Sequence, residues 1–270
     1  MQNTSIERAN EIINCHLKNI EKLSGVLKSV VLIGSLSNNS YTGNPGSDID
    51  LVHILCNDND IEIRNTMFEI IDKTQRETNN DITISRCIYR YSDLFRPYKM
   101  DFELNKLNKD YLELPIEILR MKESGIIVYG EEIIGNIDVP LREDIILFEK
   151  LSRQWDEIIS AEDPELEESR KKFLENPTAR IIAQIVLTRA MLDYYFATNK
   201  SCSSKLVIGN AMNIDVPRYY FQRLLELAVK WRYQVDEFTI SEEREMQLLF
   251  EEWRIVRKEK DIDFVPLYDA

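Results

Sequence analysis

The sequence lacks paired cysteines and long apolar runs. Its four cysteines, Cys15, Cys56, Cys87 and Cys202, are far apart and form no Cys-x-x-Cys pair, so we interpret them as reduced thiols. No apolar run approaches the roughly eighteen residues of a membrane helix, and the N-terminus has no basic segment followed by an apolar one. We therefore expect a cytoplasmic protein that does not contact a membrane.

The chain also lacks an excess of positive charge. It has 34 Lys and Arg against 47 Asp and Glu, which gives a net charge of -13. Because nucleic-acid binding needs clustered Lys and Arg to neutralise phosphates, we expect no nucleic-acid partner. An acidic chain suits a cationic substrate, although acidic globular proteins are common and charge alone does not decide this.

Glycine is scarce in the second half, where only Gly209 follows Gly135. Few glycines imply few tight turns and long helices, so we predict an all-α helical bundle over residues 139–270. Helix starts are indicated by Asn176-Pro177 and by the capping-box pattern of Thr239 with Glu242. The predicted helices cover residues 141–159, 164–174, 177–198, 217–235 and 241–258.

Residues 1–138 mix helical and strand patterns, which predicts an α/β (α+β) domain with a mixed sheet. Helices are predicted at 6–27 and 61–78, and strands at 30–33, at 47–52 and from 81 toward 88. His16 falls on the polar side of the first helix, so we interpret it as exposed to solvent.

Asp48 and Asp50 lie in the apolar, β-branched segment Ser47-Asp48-Ile49-Asp50-Leu51-Val52. Alternate residues of a strand share a face, so both carboxylates point the same way while Ile49 and Leu51 point into a core. Two adjacent carboxylates repel each other unless a cation lies between them. Oxygen ligands of this kind suit Mg²⁺, which takes waters and substrate phosphates as its other ligands. The alternative is an ordinary hairpin with both aspartates in solvent.

Gly34 and Ser35 directly follow the apolar run Val30-Val31-Leu32-Ile33, which indicates a buried strand. A glycine there lets the chain turn and bring backbone N–H groups close to an anion, and the serine hydroxyl adds a donor. We interpret this pair as a cradle for phosphates, to which Ser47 adds a further donor.

Gly-Ser after a strand, followed by Asp-x-Asp on the next strand, resembles the signature of the DNA polymerase β-type nucleotidyltransferase superfamily. Within it the chain looks most like the aminoglycoside adenylyltransferases that modify streptomycin and spectinomycin. The resemblance implies antibiotic resistance through Mg²⁺-dependent transfer of AMP from ATP to a hydroxyl of a small-molecule acceptor. It also implies an active site between a nucleotidyltransferase domain and the helical domain. We expect a monomer.

The resemblance also assigns individual residues. In place of the family's Glu-Val-Thr-Ile the chain has Asp81-Ile82-Thr83-Ile84, which makes Asp81 the candidate general base. Asp101 and Glu103 compete for this role. In the second half, Gln184 and Lys205 match family positions that approach ATP, where the lysine contacts phosphates.

One departure concerns the acceptor. Where the family has Asp-Glu-Arg, whose aspartate binds the drug, this chain has Ile181-Ile182-Ala183. Asp144, Glu149 and Asp193 are acids that can substitute for it. A protein or other non-drug acceptor, or an inactive nucleotide-binding sensor, is the alternative.

Overall fold

The computed structural model describes residues 6–43, 48–56, 61–98, 114–148, 177–200, 202, 204–216 and 220–259. The chain divides into two compact units, Met1–Ile145 and Ile146–Ala270. This division lies a few residues after the predicted boundary between 138 and 139, which stays a prediction. Among the helices that the structure describes, none combines the length and apolar character of a membrane span.

The first unit contains a mixed sheet with helices. In chain order its elements are α1 (Ile6–Ile20), β1 (Leu27–Ile33), α2 (Gly34–Ser37), β2 (Asp48–Leu55), α3 (Ile61–Glu77), β3 (Thr83–Ile84), β4 (Cys87–Arg90), α4 (Leu114–Ser124) and β5 (Ile126–Gly130). The strand order is β3-β2-β1-β5, and β4 also pairs with β2. β1 runs antiparallel to β2 and β5, whereas β2 runs parallel to β3 and β4. The predicted mixed sheet is therefore confirmed.

The strand predicted from residue 81 onward is divided into β3 and β4. At the break, the side chain of Ser85 takes the place of a backbone partner for Leu51. Its Oγ accepts a hydrogen bond from the Leu51 amide at 2.9 Å and donates to the Leu51 carbonyl oxygen at 3.0 Å. A side chain that satisfies both backbone groups of its neighbour interrupts the regular ladder.

One face of the sheet is covered by α1 and α3. Ile49 and Leu51 of β2 are fully buried there with Ile12 of α1 and Met67 of α3. Alternation along β2 then places Asp48 and Asp50 on the opposite face, where both are partly exposed. The helical packing of this core thus decides which face of β2 presents the carboxylates.

The interpretation of His16 as a solvent-exposed residue is wrong. Its side chain is fully buried, with Nε2 lying 2.8 Å from Nε2 of His53 on β2 and Nδ1 lying 3.2 Å from Oγ of Thr74 on α3. These partners satisfy both ring nitrogens, so the imidazole can be buried at the polar border of α1.

The second unit is helical in the part that the structure describes, with α5 (Ala179–Thr198), α6 (Ile208–Asp215), α7 (Gln222–Tyr233) and α8 (Ile240–Glu259). Leu187, Leu224 and Phe250 belong to its core. The N-cap of α5 is Thr178 and not the predicted Asn176, so the helix begins two residues later than the proline pattern indicates. The helix predicted at 164–174 and most of the one at 141–159 lie outside the described residues.

Candidate active site

The antiparallel register of β1 and β2 brings the Gly-Ser and Asp-x-Asp segments together. Ile33, the last residue of β1, lies opposite Asp50 of β2. Gly34 therefore lies beside the Asp50 side chain, and a Cβ placed on Gly34 would be only 2.0 Å from Oδ2 of Asp50. The Gly34 backbone has a φ of +76°, a conformation that glycine adopts without strain.

The turn after β1 is a single helical turn, α2, that begins at Gly34. The Asn38 amide donates to the Gly34 carbonyl oxygen at 3.1 Å and closes it. Ser35 is the second residue of this turn and is partly exposed. Backbone amides at the start of a helical turn carry partial positive charge and can bind an anion. The phosphate role of Gly34 and Ser35 stays a prediction, and Ser47 lies outside the described residues.

Asp50 forms an ion pair that no sequence pattern indicates. Nη2 of Arg120 on α4 donates to Oδ2 of Asp50 at 2.7 Å, and Nη1 donates to Oε1 and Oε2 of Glu117 at 2.8 and 3.1 Å. Burial lowers the pKa of Arg120, but the charges and hydrogen bonds of Glu117 and Asp50 outweigh this and raise it above its usual value. The guanidinium therefore stays charged.

Asp48 and Asp50 have the donor type that a magnesium ion prefers, and their role as metal ligands stays a prediction. They are two carboxylates on one face of one strand, and Asp48 lies opposite Thr83 of β3. Within the described residues, no group of three or more His, Cys, Asp or Glu side chains could hold a metal ion. Mg²⁺ does not require such a cage, because it is commonly bound by one or two carboxylates together with substrate phosphates and water.

Asp81, the predicted general base, lies two residues before β3 and is ion-paired with α1. Nε and Nη2 of Arg8 both donate to Oδ2 of Asp81, at 2.9 and 2.7 Å. Nη2 also donates to the carbonyl oxygen of Thr78 at 3.2 Å. The role of Asp81 remains a prediction. The competing candidates, Asp101 and Glu103, lie outside the described residues.

Gln184 and Lys205, the two nucleotide candidates of the second unit, lie next to each other. Nζ of Lys205 donates to Oε1 of Gln184 at 3.0 Å. Gln184 is on α5, whereas Lys205 lies in the turn before α6. The fold therefore brings together an amide and a cation that are 21 residues apart in the sequence.

Two of the three carboxylates considered for a cationic acceptor, Asp144 and Asp193, interact with other residues of their own units. Nε of Arg96 donates to Oδ2 of Asp144 at 2.8 Å, and the Leu141 amide donates to the same oxygen at 2.8 Å. Asp193 is fully buried and lies 3.4 Å from Nε of Arg189. Glu149 lies outside the described residues.

Comparison with known proteins gives a structural match without a sequence match. No protein-family model matches the chain, and no curated protein is similar to it in sequence. The crystal structure of spectinomycin adenyltransferase AAD(9) from Enterococcus faecialis with ATP and spectinomycin superposes with a TM-score of 0.58. The identity is 18%, and the match covers 92% of this chain and 99% of that one.

Weaker matches are toxin–antitoxin structures. One with AMP-PNP has 16% identity and a TM-score of 0.28, and covers 58% of this chain and 97% of that one. The MntA-HepT structure has 16% identity and a TM-score of 0.24, and covers 62% of this chain and 99% of that one. TM-scores this low do not support a fold assignment, so the assignment depends on AAD(9). The chain has the nucleotidyltransferase fold of spectinomycin adenyltransferase AAD(9).

Proposed function

We propose that the protein is a nucleotidyltransferase that transfers AMP from Mg·ATP to a hydroxyl of a small-molecule acceptor and releases pyrophosphate. The observation that carries the proposal is the contact between Gly34 and Asp50. It joins the turn that would bind phosphates to the strand that would bind the metal. The shared fold with AAD(9), whose structure contains ATP and spectinomycin, supports the proposal.

In the proposed reaction the acceptor oxygen attacks the α-phosphorus, and the bond from that phosphorus to the β-phosphate bridging oxygen breaks. Asp48 and Asp50 hold Mg²⁺, which when bound neutralises phosphate charge. Gly34 and Ser35 bind the departing β- and γ-phosphates, and Ser47 adds a donor. Holding the two reactants in line supplies much of the rate enhancement.

Asp81 is proposed to take the proton of the acceptor hydroxyl. Both hydrogen bonds from Arg8 end on Oδ2, so Oδ1 is the oxygen assigned to accept the proton. Arg8 thus holds the carboxylate in one orientation. A positioned base contributes roughly 10² to 10⁴ in rate, so Asp81→Asn is expected to lower turnover by that factor.

Gln184 and Lys205 are proposed to contact the nucleotide, as the family resemblance implies. The compact ammonium of lysine offsets phosphate charge, and the Gln184 amide beside it orients that ammonium.

We further propose an aminoglycoside-type acceptor. The net charge of -13 and the presence of spectinomycin in the AAD(9) structure support a cationic drug. Ile181 stands where the family has its drug-binding aspartate and provides no carboxylate. Acceptor carboxylates must therefore come from elsewhere in the chain.

The test is pyrophosphate release with Mg·ATP in the presence of streptomycin, spectinomycin or kanamycin, with mass spectrometry to detect an adenylylated drug. One drug should be modified, and Asp50→Asn should lower the rate more than about 100-fold, since even supporting partners of metal ligands are worth 10- to 100-fold. Asp72→Asn, which removes a surface ion pair with Arg86, is the matched control and should retain activity. If none of the three drugs causes pyrophosphate release while ATP still binds, these drugs are excluded as acceptors. Absence of ATP binding would overturn the proposal.

A further inference from the structure

The ion pair between Arg120 and Asp50 leaves the two oxygens of the Asp50 carboxylate in different environments. Oδ2 accepts a hydrogen bond from Nη2 of Arg120 at 2.7 Å. The same oxygen faces the Gly34 backbone, where a Cβ would lie 2.0 Å from it and 2.9 Å from Nη2 of Arg120. Oδ2 is thus enclosed by a cation and a backbone turn, and Oδ1 is the oxygen left to bind a ligand.

Arg120 is itself held in place by Glu117. Both carboxylate oxygens of Glu117 accept from Nη1, and the Glu117 side chain is 3% exposed. The side chains of Arg120 and Asp50 are only 16% and 20% exposed. Charge-assisted hydrogen bonds are strong in such sheltered surroundings, and removing one partner leaves an uncompensated charge. These contacts therefore hold the guanidinium on Oδ2.

A carboxylate with one oxygen engaged in this way coordinates a cation through its other oxygen. Mg²⁺ needs a small octahedral shell and accepts such single-oxygen ligands, whereas Ca²⁺ takes six to eight oxygens and is often bound by both oxygens of a carboxylate. We propose that Arg120 is a positioning residue that limits Asp50 to one metal-binding oxygen and so makes the site select Mg²⁺ over Ca²⁺. This inference rests on the proposed role of Asp48 and Asp50 as metal ligands.

The experiment measures binding of AMP-PNP by isothermal titration calorimetry, in saturating Mg²⁺ and in saturating Ca²⁺. The selectivity is the ratio of the Kd in Ca²⁺ to the Kd in Mg²⁺, and it needs no turnover. Arg120→Met should lower this ratio by about tenfold, the lower end of the effects of partners that orient metal ligands. Arg120→Lys, which keeps a cation able to donate to Oδ2, should retain most of the wild-type ratio.

Two further variants make the result interpretable. Arg223→Met removes an arginine that pairs with Glu245 in the second unit, and it should keep the wild-type ratio. If Arg120→Met does not fold because Glu117 is left buried and unpaired, the double variant with Glu117→Gln removes that charge and carries the same expectation.

The outcomes separate this inference from the proposed function. An unchanged ratio in Arg120→Met, with metal-dependent binding lost in Asp50→Asn, overturns the selectivity role and leaves the proposed function standing. AMP-PNP binding that is independent of metal in the wild-type protein overturns both. A ratio of Kd in Ca²⁺ to Kd in Mg²⁺ that is lowered in Arg120→Met and retained in Arg120→Lys and Arg223→Met supports the role of Arg120.

Discussion

At the scale of single residues, Gly34 meets two requirements at once. Its φ of +76° lies in the left-handed region, and its Cα borders the carboxylate of Asp50. Its position after β1 in the sequence predicts close approach of backbone amides to phosphate. The structure adds that any side chain here would displace Asp50 or Arg120.

Gly34→Ala should therefore lower the free energy of unfolding by about 1–3 kcal/mol, the usual cost of a strained backbone position. The added methyl group should also weaken Mg²⁺-dependent ATP binding, because it pushes Oδ2 of Asp50 aside. Urea unfolding and calorimetry measure the two effects. Gly25→Ala is the matched control, since an added Cβ there has no atom within 4 Å, and it should change neither quantity. Equal effects of both variants would contradict the steric explanation.

The two histidines of the chain form a buried pair that is neutral in the folded state. The Cys87 carbonyl oxygen lies 3.2 Å from Nδ1 of His53, so this nitrogen carries the proton and Nε2 accepts from Nε2 of His16. Burial lowers the pKa of His16 to about 3, with a contribution from His53, and lowers that of His53 to about 4. Burial dominates for both rings, and the partners that the described part of the chain gives them are Thr74, the Cys87 carbonyl oxygen and each other.

Stability should consequently fall in acid. The two histidines bind protons near pH 6.5 in the unfolded chain, whereas in the folded protein they do so only at about pH 3 to 4. The stability that the neutral pair contributes is therefore complete above pH 6.5 and is lost as the pH falls from 6.5 toward these lower values. Each proton that only the unfolded chain binds adds about 1.4 kcal/mol per pH unit to the slope of the free energy of unfolding against pH. His16→Gln removes one titrating ring and keeps a donor for His53, so urea unfolding between pH 6 and 4 should show a shallower slope. Identical slopes would show that the pair does not govern the acid sensitivity.

At the scale of elements, α8 shows how a local pattern specifies a boundary. The Glu242 amide donates to Oγ1 of Thr239 at 3.2 Å, and the Thr239 amide donates to Oε2 of Glu242 at 2.9 Å. The predicted capping box is therefore confirmed. Nζ of Lys230 adds a 2.7 Å ion pair to Oε1 of Glu242 and so connects the start of α8 to α7.

Thr239→Ala should destabilise the protein by about 1 kcal/mol, since it removes the side-chain acceptor that satisfies a helix N-terminal amide. The shift of the urea midpoint measures this effect. Ser241→Ala, two residues along in the exposed first turn, should change stability by less than about 0.5 kcal/mol. A larger loss for Ser241→Ala than for Thr239→Ala would refute the capping role.

At the scale of the whole molecule, each unit has its own hydrophobic core. Ile49 and Met67 belong to the core of the first unit, and Leu187 and Phe250 to that of the second. The first unit extends to Ile145 because residues after 138 bind its loops. Asp144 accepts a hydrogen bond from Nε of Arg96, and Ile145 is buried.

A fragment of residues 1–145 should fold on its own and unfold cooperatively, because it is a compact unit with its own hydrophobic core. A fragment of residues 1–138, which ends at the boundary predicted from sequence, lacks Asp144 and Ile145. It should be less stable by about 2 kcal/mol or more, since a buried isoleucine and a charge-assisted hydrogen bond are lost. Urea unfolding of the two fragments measures the difference. Equal stability would place the end of the unit at the earlier boundary.

The parts of the structure that could be predicted are those set by interactions between residues close in sequence. Alternation along β2 gave the shared face of Asp48 and Asp50, because side chains of a strand point to opposite faces in turn. The start of α8 followed from a cap and its partner only three residues apart. Glycine scarcity similarly indicated the helical second unit.

The remaining contacts join residues far apart in the chain, and only the tertiary structure decided them. Arg120 binds Asp50 across 70 positions, Arg8 binds Asp81 across 73, and His16 meets His53 across 37. In sequence Arg120, Arg8 and His16 have the pattern of ordinary surface groups. Their partners depend on how the strands pair and which helix covers which face, and no local periodicity encodes that. The sequence by itself thus determined which side chains line the face of β2. Only the fold determined that Arg120 is the cation paired with Asp50, because that pairing depends on proximity in space.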